Sequence, residues 1–335
     1  MGIEDNSVFI SVVVPMFNES ENIETLHKRL TKVLGEINRS YEVICVNDGS
    51  RDDTLSKLKD LNKRDPAFKV VDLSRNFGKE IALSAGLDFS RGEVVVPIDA
   101  DLQDPPELIK EMLDKWQEGY DVVYAVRSQR DGESWFKKWT AARFYRIIGR
   151  ISPINIPGNT GDFRLMSRQA VDALSELRET HRFMKGLFGW IGFRQTGIMY
   201  RRDARYAGKT KWNYGKLWSL ALEGITSFSF VPLQLSMYFG LFVAFISFLY
   251  GIYFTIKTLL FGNPVPGYPS LIVIMLFLGG IQLFTIGILG EYIGRIYTES
   301  KRRPLYLIRE TMGFEGEKHR ESDALRERET VGAAL

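Results

Sequence analysis

The first 130 residues alternate short β-branched runs with amphipathic stretches. The runs at 9–14, 41–46, 68–73, 93–98 and 121–126 read as strands, and the stretches at 21–36, 52–64, 79–89 and 106–118 space their apolar positions as helices do. Strands alternating with helices of that length predict an α/β fold: a parallel sheet with right-handed crossovers and ligands beyond the strands' carboxyl ends. Those ends fall at 15–19, 47–50, 74–78 and 99–104, all polar or turn-forming. The first of them lacks the glycine fingerprint of a dinucleotide site, which argues against a dehydrogenase.

Beyond residue 130 the pattern changes. At 135–150 (WFKKWTAARFYRIIGR) aromatic and cationic residues interleave over about four helical turns, as in a helix lying among lipid headgroups or packed on the sheet surface. The stretch 209–230 is similar. No charge occurs at 224–256 or at 258–290. Each run has room for the roughly 20 apolar residues that cross a bilayer core of about 30 Å, so spans are expected at 232–256 and 270–290. The linker 257–269 carries one cation, whereas Arg201, Arg202, Arg205, Lys209, Lys211 and Lys216 precede the pair and Arg295, Lys301, Arg302 and Arg303 follow it. Positive residues favour the cytoplasmic side, which puts both flanks there and the linker outside. Three regions result: a cytoplasmic domain at 1–230 that includes the surface helices near 135–150 and 212–230, two spans within 231–296, and a C-terminal strand with a disordered tail at 297–335. A lone strand at 304–310 (PLYLIRE) needs a partner, and a neighbouring subunit's sheet edge would supply one in a homo-oligomer.

The composition changes this picture little. A net charge of +3 gives no sign of a nucleic-acid partner, and the cations cluster beside the apolar runs, as suits an anionic membrane surface. The single cysteine, Cys45, lies in an apolar strand run and reads as an inert core thiol. The polar N-terminus lacks the pattern of a secretory leader.

The densest chemistry lies at 93–105 (EVVVPIDADLQDP), where alternation along an extended chain would put Asp99, Asp101 and Gln103 on one face. Oxygen ligands so grouped suit a hard divalent cation such as Mg²⁺ or Mn²⁺. Asp104 is the better placed of these acids to cap the helix that follows.

Together, VVVPMFNES (12–20), VNDGS (46–50), DADLQDPPE (99–107) and GDFRLMSR (161–168), followed by two spans, resemble the inverting family 2 glycosyltransferases of GT-A fold. Among these the chain is most similar to the polyprenyl-phosphate sugar transferases, of the bactoprenol glucosyltransferase and dolichol-phosphate mannose synthase types, up to about residue 304. The resemblance implies an integral membrane enzyme that moves one sugar from a nucleotide diphosphate, UDP-glucose first, to undecaprenyl phosphate. GDP-mannose and a UDP-aminoarabinose-type donor are the alternatives. It assigns Pro15, Asn18, Glu19, Asp48, Lys79 and Asp99 to the nucleotide, with Arg75, Asn76 and Gly78 near it, and Asp101 to the metal with Asp99 and Gln103 beside it. Asp162, Arg205 and Lys209 join Asp101 in catalysis, and Arg127, Arg130, Arg201 and Arg202 fall to the acceptor phosphate. Plainer roles compete: a cap or first-turn acid for Asn18 and Glu19, a turn for Asp48, a helix start before 163–174 for Asp162, and lipid headgroups for the cations. A processive polysaccharide synthase would need more spans and a Gln-x-x-Arg-Trp signature that this chain lacks, and a silent membrane scaffold would not need the acids.

Overall fold

The computed structural model describes residues 8–128, 160–180, 182–200, 231–261 and 267–314. The alternation seen in sequence becomes β1 (Ile10–Met16), α1 (Ile23–Ile37), β2 (Tyr41–Asn47), α2 (Thr54–Arg64), β3 (Phe68–Leu73), α3 (Lys79–Phe89), β4 (Val94–Pro97), α4 (Ile109–Gln117) and β5 (Val122–Arg127). Then follow β6 (Thr160–Ser167), α5 (Arg168–Glu176), α6 (Met184–Trp190), β7 (Gln195–Tyr200), the long helices α7 (Val231–Phe261) and α8 (Tyr268–Ser300), and β8 (Ile308–Met312).

These strands form one eight-stranded sheet in the order β7-β5-β6-β4-β1-β2-β3-β8. Strands β4, β1, β2 and β3 run parallel, as the crossovers require, whereas β6 is antiparallel to both β4 and β5. Ile10, Val12, Val14 and Met16 face a core shared with α1, α2 and α4. Val13, on the opposite face, packs with Leu83 and Leu87 of α3 and with α5 and α6. Strands buried on both faces read as continuous apolar runs, which is why these segments were legible. Cys45 is 1% exposed in the first core, and burial pushes its thiol up to about 12.

Three expectations are corrected. Residues from Phe163 do not open a helix: β6 runs to Ser167, whose hydroxyl accepts the Ala170 amide to cap α5. Asp104 does not stand at the N-cap of the turn at Pro106–Leu108, which is Pro105, and its Oδ1 accepts the Tyr200 hydroxyl instead. The C-terminal strand needs no neighbouring subunit either. It pairs antiparallel with β3 of its own chain, and Leu305 and Tyr306 just before it pack on Val71, Leu73 and α3, so the motive for a homo-oligomer falls away.

Helices α7 and α8 are long and apolar enough to cross a membrane, over Leu233–Tyr253 and Phe277–Ser300. Large side chains such as Phe242, Phe248, Leu283 and Phe284 are exposed on them. At about 1.5 Å per residue, α8 is some 50 Å long, about 20 Å more than a bilayer core. Its last turns carry Glu291, Arg295 and Glu299 and reach the sheet domain, where Glu299 accepts from the Thr180 amide (2.8 Å) and hydroxyl (3.2 Å).

Candidate functional site

The carboxyl ends of the parallel strands are knitted into one rim. The Asn18 Oδ1 accepts the Arg51 amide at 2.8 Å and its own amide donates to the Ser50 hydroxyl, which joins the loop after β1 to the loop after β2. Asn18 holds a left-handed φ of 55° to do so, and the Glu19 amide donates to Thr54 Oγ1. Neither stands at the N-cap of α1, which is Asn22, whose side-chain amide donates to Glu19 Oε2. Asp48 joins the third loop. Its two carboxylate oxygens accept the amides of Phe77 (2.6 Å) and Gly78 (3.0 Å), and burial raises its pKa against the pull of those donors. Gly49 beside it has a φ of +62°, and a Cβ there would stand 2.5 Å from the Arg75 and Asn76 backbone. Only glycine lets the loops approach so closely. Pro15 lies within β1, paired with Val46.

The acids come together by register. Strand β4 stops at Pro97, so Asp99, Asp101 and Gln103 lie in a turn, with Leu102 left-handed at φ 58°, and not along an extended face as the alternation suggested. The Gln103 amide donates to Asp101 Oδ1 at 3.2 Å. Because β6 runs antiparallel to β4, pairing Val95 with Met166 and Val94 with Ser167, its starting end, which carries Asp162, lies toward the carboxyl end of β4 and the turn that carries Asp99. Lys79, the first residue of α3, closes the gap: its Nζ lies 2.6 Å from Asp99 Oδ1 and 2.7 Å from Asp162 Oδ2. Burial alone would raise the Asp162 carboxyl, but Lys79 above all, with Lys185 and Arg164, holds it well below the usual carboxylate range. The Lys79 ammonium is raised in turn by the two carboxylates, which outweigh its desolvation.

Arg164, within the GDFRLMSR run, braces the β6 backbone at Gly161 and Asp162. It is 4% exposed, and its Nη2 donates to the Gly161 carbonyl at 2.9 Å and its Nε to the Asp162 carbonyl at 3.3 Å. The guanidinium lies 3.5 Å from the Phe188 ring centroid, and burial pushes its pKa down to about 10. A buried arginine within an apolar strand is the signal that could have marked this segment as more than core.

Residues 11–175, β1 to α5, match the family model "Glycosyl transferase family 2", and 231–296 match "GtrB C-terminal hairpin". An uncharacterized glycosyltransferase of Synechocystis is 54% identical over 309 residues, covering 92% of this chain and 97% of its own length. A bactoprenol glucosyl transferase of Shigella phage SfV is 52% identical over 90% of this chain and 98% of its own, and a prophage bactoprenol glucosyl transferase homolog of Escherichia coli is 49% identical with the same coverage. The chain belongs to glycosyl transferase family 2.

The family 2 segment contains every acid of the cluster, and the hairpin match spans α7 and most of α8. Among the described residues, no three His, Cys, Asp or Glu side chains gather closely enough to hold a metal alone. An Asp101 carboxylate with Asp99 and the Gln103 amide is nevertheless an all-oxygen donor set. It fits a hard cation that takes one or two protein carboxylates and completes its shell with substrate phosphate oxygens. Of the cations assigned to the acceptor, Arg127 is described, at the carboxyl end of β5. Arg130, Arg201, Arg202, Arg205 and Lys209, together with the surface stretches 135–150 and 212–230, lie outside the described residues.

Proposed function

We propose that this family 2 enzyme transfers one glucose from UDP-glucose to undecaprenyl phosphate with inversion at the anomeric carbon. Supporting this is an acid cluster, Asp99 and Asp162 bridged by Lys79 beside Asp101, on a chain about half identical over nine-tenths of its length to bactoprenol glucosyl transferases. The acceptor's phosphomonoester loses its second proton near pH 6, so a dianion stands ready in neutral cytoplasm. One of its oxygens attacks C1 in line. The O–C1 bond forms as the bond to the diphosphate breaks, and no proton has to move. This is why an Asp162 held ionised by Lys79 can serve by orienting ligand and need not act as a base.

Asp101, with Asp99 and Gln103, would hold Mg²⁺ or Mn²⁺, which when bound supplies Lewis-acid compensation for the charge on the departing diphosphate. Asp48, Asn18, Glu19 and Pro15 line the nucleoside end of the rim. Arg127, with Arg130, Arg201 and Arg202, receives the acceptor phosphate, and Arg205 and Lys209 close over the donor. Guanidinium groups suit this work because they grip phosphate through two parallel donors.

The exposed apolar sides of α7 and α8 would lie in lipid, with the catalytic domain cytoplasmic and the linker outside. Purified protein should be assayed with a panel of nucleotide sugars for metal-dependent entry of label into a butanol-extractable lipid. Glucose from UDP-glucose is the expected product; transfer of another sugar would correct the donor, and none with any donor would favour a silent scaffold. Orientation is checked by thiol labelling, because the native Cys45 is buried: Asn263→Cys should react with an impermeant reagent from outside the cell, and Arg302→Cys only after lysis.

A further inference from the structure

Arg127 is held by two residues that the proposed reaction does not otherwise use. Strands β5 and β7 are parallel and pair Arg127 with Tyr200, and in-register parallel neighbours project to the same face of the sheet. The Arg127 Nε donates to the Tyr200 hydroxyl at 3.3 Å, and that hydroxyl donates to Asp104 Oδ1. Tyr200 and Asp104 are 6% and 1% exposed, so this contact is sealed from water. Tyr200 belongs to the same buried apolar cluster as Ile98, Leu102, Phe163 and Ile198, so its hydroxyl is a polar group at the edge of a core. Asp104 closes the same turn that carries Asp99 and Asp101.

Two further details say where the guanidinium points. A Cβ on Gly161 would stand 2.9 Å from Arg127 Nη2, so the group lies over the β6 backbone one residue from Asp162. Its charge also feels Asp99 and Asp104. With Nε engaged by the phenol, the terminal fork of Nη1 and Nη2 is the end left for a bidentate oxygen ligand.

We infer that Tyr200 and Asp104 are positioning residues that aim the Arg127 fork at a phosphate oxygen in the site, one phenol hydroxyl fastening that cation to the turn bearing the catalytic acids. The inference deepens the proposed reaction and rests on it for the nature of the ligand. Phosphate chemistry is common to the acceptor monoester and the donor diphosphate, and the experiment separates the two.

Full-length Tyr200→Phe, which keeps the ring in its core and removes only the oxygen, is compared with wild type in KM for each substrate, in kcat and in thermal midpoint. Losing one hydrogen bond to a charged group should raise one KM about tenfold, with kcat within about twofold and the melting temperature lowered by a few degrees, because the buried Asp104 oxygen loses its donor. A rise for polyprenyl phosphate marks the acceptor and a rise for the nucleotide sugar marks the donor; either supports the relay. In an Arg127→Ala background, Tyr200→Phe should add nothing, because it acts through the guanidinium. Fully additive losses, or both KM values unchanged, would overturn the inference. Calorimetric affinities for uridine diphosphate and for farnesyl phosphate give a readout without turnover. Failure of wild type to transfer sugar would then sink the reaction alone, whereas equal binding of both probes by wild type and Tyr200→Phe would sink the relay.

Discussion

At the residue scale the site turns on charge compensation. Asp99, in the turn after β4, and Asp162, in β6, both hold the Lys79 ammonium, and without it two carboxylates would share one site, which raises the pKa of one. The depressed pKa of Asp162 fixes the sign of its pH effects. Its contribution to stability is complete above the unfolded value of about 3.9 and is lost as pH falls below it. Activity should therefore not follow Asp162 at all. The acid limb of kcat/KM is expected near pH 6, from the acceptor phosphate, and Asp162→Asn should retain turnover with that limb unmoved. A limb that shifts or vanishes in the variant would restore the general base. Asp101→Ala is expected to lower kcat by about a thousandfold, since a Lewis acid at a departing diphosphate contributes several kcal/mol. An active variant would remove the metal from this carboxylate.

At the element scale the loops are coupled more tightly than their separation in sequence suggests. Asp48 holds the amides of Phe77 and Gly78, immediately before Lys79, so the loop after β2 sets the start of α3 and with it the ammonium between the acids. Gly49→Ala should cost about 1–2 kcal/mol for its left-handed backbone alone, and the close Arg75 and Asn76 backbone adds to that. The expected result is a lower melting temperature together with a raised KM for the nucleotide sugar. A change in stability without any change in KM would show that this loop does not reach the donor site.

At the scale of the whole molecule the pair of long apolar helices, α7 and α8, interrupts the sheet domain and does not simply follow it. The chain returns from α8 to lay Leu305 and Tyr306 against β3 and α3, and the Tyr306 hydroxyl donates to Asp88, which also receives Arg178 at 2.6 Å. With Glu299 on Thr180, this clamps the end of α8 to the domain just ahead of α6, whose first amide, at Met184, donates to Glu80 beside Lys79. Truncation after Ser300 removes burial worth about 1.5–3 kcal/mol for the leucine alone. It should lower the melting temperature by several degrees and weaken nucleotide binding. Unchanged melting would mean that β8 is an ornament on the edge.

The linear pattern was enough to specify the α/β alternation, the two apolar helices and most of the acids, because a strand buried on both faces and a helix without a polar side each have one composition that serves. Those features are local. It could not specify that β6 runs against its neighbours, and so could not bring Asp162 and Asp99 to one Lys79 ammonium. Nor could it reveal that Tyr200 and Asp104, distant in the chain, meet at Arg127, or that β8 finds β3 at home. Pairing partners are chosen by the whole set of buried faces competing for one another, and that choice exists only once the chain has closed on itself.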